Sequence, residues 1–242
     1  METIKISKQL GELSGACAYL SLLCIGTFLL LLTLLHFLKA DLDPIWHMIS
    51  EYAIARYGWM MQSAFACLAV SCVSLAVAGW PLVAGTSGKI GLLLLLIAAI
   101  GLGIAAFNNT DPINTPKAEM SSHGNMHGLG FMVGVPSLTI AIMLISMNLR
   151  TDQRWGRERQ SLLWLAQLPW ISIVIMVGML VILLPKNDGK FSPAVFIGLP
   201  NRLWVIACCA WISVIAVGVI KINNKQAKQP PVAITKIKSF KI

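Results

Sequence analysis

Six long apolar blocks decide what this chain can fold into. They cover residues 14–38, 58–83, 88–107, 126–148, 161–185 and 199–221. A helix needs roughly 20 apolar residues to cross the hydrocarbon of a bilayer. Each block reaches that length, and together they use most of the 242 residues. Charged residues make up only 12% of the chain, where a soluble domain carries about 25%. The sequence therefore predicts an all-α, polytopic bundle of six transmembrane helices. One membrane domain is expected over 1–222, followed by a basic, flexible cytoplasmic tail over 223–242. The first block is longer than the apolar core of a signal peptide and reads as a retained helix.

The blocks carry their own punctuation. Gly85, Thr86, Ser87 and Gly88 separate the second block from the third, which predicts a tight helical hairpin. Pro136, Pro169 and Gly218 fall inside later blocks; membrane helices tolerate such residues when neighbours re-satisfy the backbone. The cysteines Cys17, Cys24, Cys67, Cys72, Cys208 and Cys209 all lie in apolar blocks without a C-x-x-C pair. They read as small packing residues, not as a thiolate or redox site.

Charge orients the bundle. With six spans, both termini share one side with the 84–87 turn and the 149–160 loop. That side holds 13 of the 19 lysines and arginines, and the other holds 6. Lysine and arginine favour the cytoplasmic side, so both termini are expected in the cytoplasm. Four acidic residues lie on that side and six on the other, so the whole net charge of +9 falls on the inner face. The basic balance then reflects cations beside anionic lipid, and no nucleic-acid surface is implied. Membrane lipids are the expected partners.

The same topology sends all four histidines outward. His36 ends the first helix, His47 lies in the first outer loop, and His123 and His127 open the fourth helix. In the first outer loop Asp43 can cap a helix and Pro44 suits its first turn. A short interfacial helix to about Tyr57 is expected, with His47, Ser50 and Glu51 on one face at i, i+3 and i+4. That face either meets water or lines a cavity.

His123 and His127 stand four apart, the spacing at which two helical imidazoles ligate one metal ion. His47, Glu51 or Asp111 could supply a third ligand. The reading this supports is a zinc site of His47, His123 and His127, with Ser50, Glu51 and Asp111 as catalytic groups around a metal-bound water. The same histidines could instead hydrogen-bond backbone or lipid headgroups. The glutamate of H-E-x-x-H is absent, so that protease reading fails. A haem held by His36 and His127 is a further alternative, without a C-x-x-C-H motif behind it. Gly124 with Gly128, and Gly130 with Gly134, are small residues four apart, which predicts close packing of the fourth helix. Arg202, opening the last helix, is expected to snorkel to headgroups or to pair with Asp111 or Glu51.

Several of these stretches occur together in a known family. His47-Met-Ile-Ser50-Glu51-Tyr52-Ala53 with Tyr57-Gly58-Trp59-Met60-Met61, then Phe107 to Pro112, His123 to Gly128, and Gly198-Leu-Pro-Asn-Arg202 follow in order. The chain thereby resembles the bacterial and archaeal membrane family known as domain of unknown function 998, over about residues 16–221. The resemblance implies a six-helix fold in a bacterial or archaeal cytoplasmic membrane, with no established activity. It points to His47, Ser50, Glu51, Tyr52, Asp111 and His127 as residues to test. The residue types are also similar in kind to membrane hydrolases such as alkaline ceramidases, which hold zinc through histidines; the order and spacing differ.

The function this predicts is metal-dependent hydrolysis of a lipid-like substrate at the outer leaflet. The alternatives are a small-solute transporter and an accessory subunit of a larger complex. Against transport, no charged residue lies at mid-bilayer depth and no inverted repeat is visible.

Overall fold

Residues 2–156 and 158–228 are described in a computed structural model, with side chains from residue 9 onward. The described residues form helices and their connections and contain no strand. Six helices are long and apolar enough to cross a membrane. They are α1 (Glu2–Leu38), α2 (Gly58–Gly79), α3 (Thr86–Phe107), α4 (Ser122–Leu149), α5 (Glu158–Lys186) and α6 (Gly198–Lys228). Each overlaps one of the apolar blocks. α2 stops at Gly79, just before Trp80 and Pro81; Trp80 keeps helical angles, and Pro81 lacks the N–H that would continue the ladder. α6 continues through 223–228 into the stretch assigned to the basic tail; residues 229–242 of that stretch lie outside the described residues.

α3 packs on both α2 and α4, α1 lies against α2 and α6, and α5 rests on α6. α6 is central, with 61% of its most apolar window buried, while α5 is peripheral at 22%. α5 also contains a π-helical stretch at Met179–Leu183.

α3 and α4 approach each other backbone to backbone. A Cβ on Gly101 would lie 2.5 Å from the Gly134 nitrogen, and one on Gly130 would lie 2.6 Å from the Gly101 carbonyl. Only glycine permits this contact. The expected small-residue packing of α4 thus holds at Gly130 and Gly134. It does not extend to Gly128, where a methyl group would meet nothing within 4 Å.

α4 and α6 run in the same direction and are bridged by indoles. Trp204 Nε1 donates to Thr139 Oγ1 at 2.9 Å, and Trp211 Nε1 donates to Ser146 Oγ at 2.8 Å. One heptad further along α6, Gly218 makes room for the Trp155 ring. Hydroxyl groups join α1 to α2 in the same way: Ser21 Oγ lies 2.9 Å from Ser71 Oγ, and Ser14 donates to the Ala78 carbonyl.

The 39–57, 108–121 and 187–197 connections gather at one end of the bundle. All four histidines lie there, at what is termed the histidine end.

Candidate functional site

The first connection does not form one helix. Asp43 Oδ1 accepts from the Ile45 amide at 2.9 Å and closes a turn around Pro44. A separate 3₁₀ helix then covers Ile49–Ala53. At 3.0 residues per turn and with a break at Met48, the expected face of His47, Ser50 and Glu51 is not presented to water. The segment is instead drawn inward: Ile49, Glu51, Tyr52 and Ala53 are buried.

Lys39 and Arg202 hold it there. Lys39 Nζ, itself buried, donates to the Ile54 carbonyl at 2.5 Å and to the Glu51 and Tyr52 carbonyls at 3.4 Å. Burial pulls the Lys39 ammonium below the ordinary lysine value, against the opposite pull of Asp41 and Glu51. Ala55 and Tyr57 adopt left-handed φ angles of 56° and 65° on the way into α2. Arg202 donates to the carbonyls of Pro44, His47 and Gly198, to Tyr52 Oη at 3.0 Å, and to His36 Nε2 at 2.9 Å. The expected pairing with Asp111 or Glu51 is not formed. Backbone carbonyls, which leave no mark in sequence, take the guanidinium's donors.

Both expected catalytic carboxylates are occupied by the backbone. Glu51 Oε2 accepts from the Met48 amide at 3.1 Å and from His47 Nδ1 at 2.9 Å, while Oε1 accepts from the Ile113 amide at 3.1 Å. It staples the first connection to the second. Asp111 Oδ2 accepts from the Ser121 amide at 2.8 Å and rests over Gly124, where a Cβ would collide with that oxygen. It sits at the start of α4, where a negative charge is favoured. Ser121 completes that start by accepting from the Gly124 amide at 2.9 Å.

The histidine pair brackets one residue. His123 Nδ1 lies 3.0 Å from Asn108 Oδ1, and His127 Nδ1 lies 2.8 Å from the Asn108 carbonyl. His123 is exposed and His127 is buried against the edge of Phe65. The Ala105 carbonyl, in the last turn of α3, lies beside the same ring. Asn108 caps α3, whose last carbonyls lack partners within the helix. His47 turns instead to Glu51 and lies over Trp46. Among the described residues, no three histidine, cysteine, aspartate or glutamate side chains gather as a metal site. The set His47, His123 and His127 therefore does not fit a shared zinc ion.

Two expected residues line the same space. Ser50 and His127 line one cavity of about 50 Å³ between α2, α3, α4 and α6, together with Asn201. Its deeper wall is apolar, with Leu102, Val135 and Trp204. Asn201 is 6% exposed, and its Oδ1 accepts from the Ile49 amide at 3.1 Å. Asn201 and Asn108 are the site residues that sequence reasoning passed over. Both bond backbone groups, and their only signal was asparagine at a helix boundary.

The fold and this polar end define a multi-pass membrane protein whose six spans are capped at one end by a hydrogen-bonded lid. The chain belongs to the family described as a protein of unknown function, DUF998, whose sequence pattern matches residues 22–218. No curated protein and no solved structure matches it.

Proposed function

We propose that the chain binds a lipid-like molecule at its histidine end, with the polar linkage of the lipid in the cavity and its chains left in the bilayer. The observation that carries this is the cavity's size and grading. About 50 Å³, polar at Ser50, His127 and Asn201 and apolar beyond, admits a linkage group but no whole solute. Pockets that enclose a small molecule run to about 300–1,000 Å³. The same disparity weighs against the transporter reading. The lysine and arginine count supports placing this end at the outer leaflet of a cytoplasmic membrane, with both termini inside.

The test is photo-crosslinking of the full chain in bilayer nanodiscs with a diacyl phospholipid carrying a diazirine near its ester. Crosslinks are expected to concentrate on Phe131, Val135 and Trp204, and to fall when Val135→Trp fills the cavity. Labelling no stronger there than at Val174 or Val181 on the exposed face of α5 would overturn the reading. A carboxy-terminal alkaline phosphatase fusion should be inactive; an active fusion would reverse the orientation.

A further inference from the structure

We infer that Ser50 is an acyl-accepting nucleophile acting on an ester-linked lipid, with His127 as its base and Asn201 facing the carbonyl oxygen. This rests on the lipid-binding reading and adds a reaction to it.

Ser50 sits between two pinned neighbours. The Ile49 amide is bound to Asn201, and Glu51 is held by three donors. Its own hydroxyl makes no hydrogen bond among the described residues, although the side chain lines the cavity. The residue is half-buried, so the hydroxyl is open to the cavity.

His127 is held in the form a base requires. A carbonyl oxygen only accepts, so the 2.8 Å contact with Asn108 places the proton on Nδ1 and leaves the Nε2 lone pair free in the neutral ring.

Asn201 completes the set. Its Oδ1 receives the Ile49 N–H, which assigns the amide and turns Nδ2 the other way. That NH₂ has no partner among the described residues, on a side chain that is 6% exposed and lines the cavity. Among the described residues Trp155 Nε1 is the one side-chain donor sealed off without a partner; the Asn201 NH₂ opens onto accessible space, where an oxygen that gains charge during reaction can accept from it. Nucleophile, base and donor thus line one cavity, and the Asn201–Ile49 bond ties the donor to the residue before the nucleophile.

The step balances without a redox partner. Ser50 Oγ bonds to the ester carbonyl carbon while its proton passes to His127. The carbon–alkoxide bond breaks, and the leaving alcohol takes that proton. Water from the aqueous side then cleaves the acyl-serine to a carboxylic acid and restores the hydroxyl, again through His127.

The experiment treats the full chain in nanodiscs with a long-chain alkyl fluorophosphonate and maps adducts by mass spectrometry. An adduct on Ser50 is expected. It should vanish in Ser50→Ala and form about a hundredfold more slowly in His127→Gln, the lower range for loss of a base. Asn201→Ala should also slow it. Ser50→Ala should keep its thermal melt, so that loss of the adduct does not reflect loss of fold. Wild-type protein that melts normally and crosslinks lipid but gives no Ser50 adduct would overturn the nucleophile and leave lipid binding standing. An adduct that forms equally fast in a folded His127→Gln would overturn the assigned base. Absence of both crosslinks and adduct would overturn both readings.

Discussion

Arg202 Nε lies 2.9 Å from His36 Nε2, and this contact fixes the state of the imidazole. A guanidinium only donates, so Nε2 must accept and carries no proton. The proton is on Nδ1, which lies 2.7 Å from the Leu32 carbonyl. The remaining guanidinium donors reach Tyr52 and three carbonyls, joining α1, α6 and the first connection. Arg202→Lys keeps the charge and loses the fork. It should destabilise the protein by about 2 kcal/mol, the scale of one hydrogen bond to a charged group, read as a lower melting temperature in detergent. Because Asp111 does not pair with Arg202, Arg202→Lys and Asp111→Asn should be additive. Strong coupling between them would restore the ion-pair reading.

Glu51 acts as a staple, which separates two substitutions. Glu51→Gln keeps an oxygen for one backbone amide and should cost about 1 kcal/mol. Glu51→Ala leaves the Met48 and Ile113 amides unpaired and should cost about 2–4 kcal/mol. The second change should also raise protease cleavage within 108–121. If Glu51→Gln melts normally but abolishes labelling of Ser50, the carboxylate has a chemical role beyond its staple.

Lys39 predicts a pH dependence. Its ammonium is held below the ordinary value of 10.5 by burial, so the folded state binds that proton less tightly than the unfolded chain. Its contribution is unfavourable while both states are charged. Stability should rise as pH climbs from the depressed value to 10.5, then level. Lys39→Met should remove this rise, and should also lower the melt at neutral pH because three carbonyls lose their donor. Melts of both proteins between neutral pH and 10.5 check this; parallel curves would refute it.

The spans were legible because hydropathy over 20-residue blocks is a property of side chains alone. The site was only partly so. The spacing of His123 and His127 correctly places both toward one neighbour, yet that neighbour is Asn108, through its side chain and its carbonyl. A carbonyl at a helix end has no sequence signature, so the spacing could not distinguish it from a metal. Likewise, Glu51 and Asp111 looked like free acids because the amides of Met48, Ile113 and Ser121 become their partners only after the connections fold back. Gly130 and Gly128 show the same limit within one helix: both fit the small-residue pattern, and only Gly130 faces α3.

That contrast gives a paired test. Gly130→Ala puts a methyl 2.6 Å from the Gly101 carbonyl, so α3 and α4 must separate. A cost of about 1–3 kcal/mol is expected, the range for overpacking. Gly128→Ala meets open space and should be neutral or slightly stabilising, since alanine favours helix over glycine by about 1 kcal/mol. Equal melts for the two variants would mean that α3 and α4 do not meet at Gly101.

The indole bridges set the final prediction. Thr139 and Ser146 are seven residues apart on α4, as Trp204 and Trp211 are on α6. Each hydroxyl is the sole acceptor of a buried indole N–H among the described residues. Thr139→Val preserves shape and removes the acceptor, leaving an unsatisfied donor at about 1–3 kcal/mol. Ser146→Ala should cost a similar amount. Trp204 also lines the cavity and Trp211 does not, so the two should part in their effect on ligand. Thr139→Val should weaken photo-lipid crosslinking by freeing the Trp204 ring, and Ser146→Ala should leave crosslinking unchanged at equal loss of stability. Equal losses of crosslinking in both would mean that it follows general stability and not the position of Trp204.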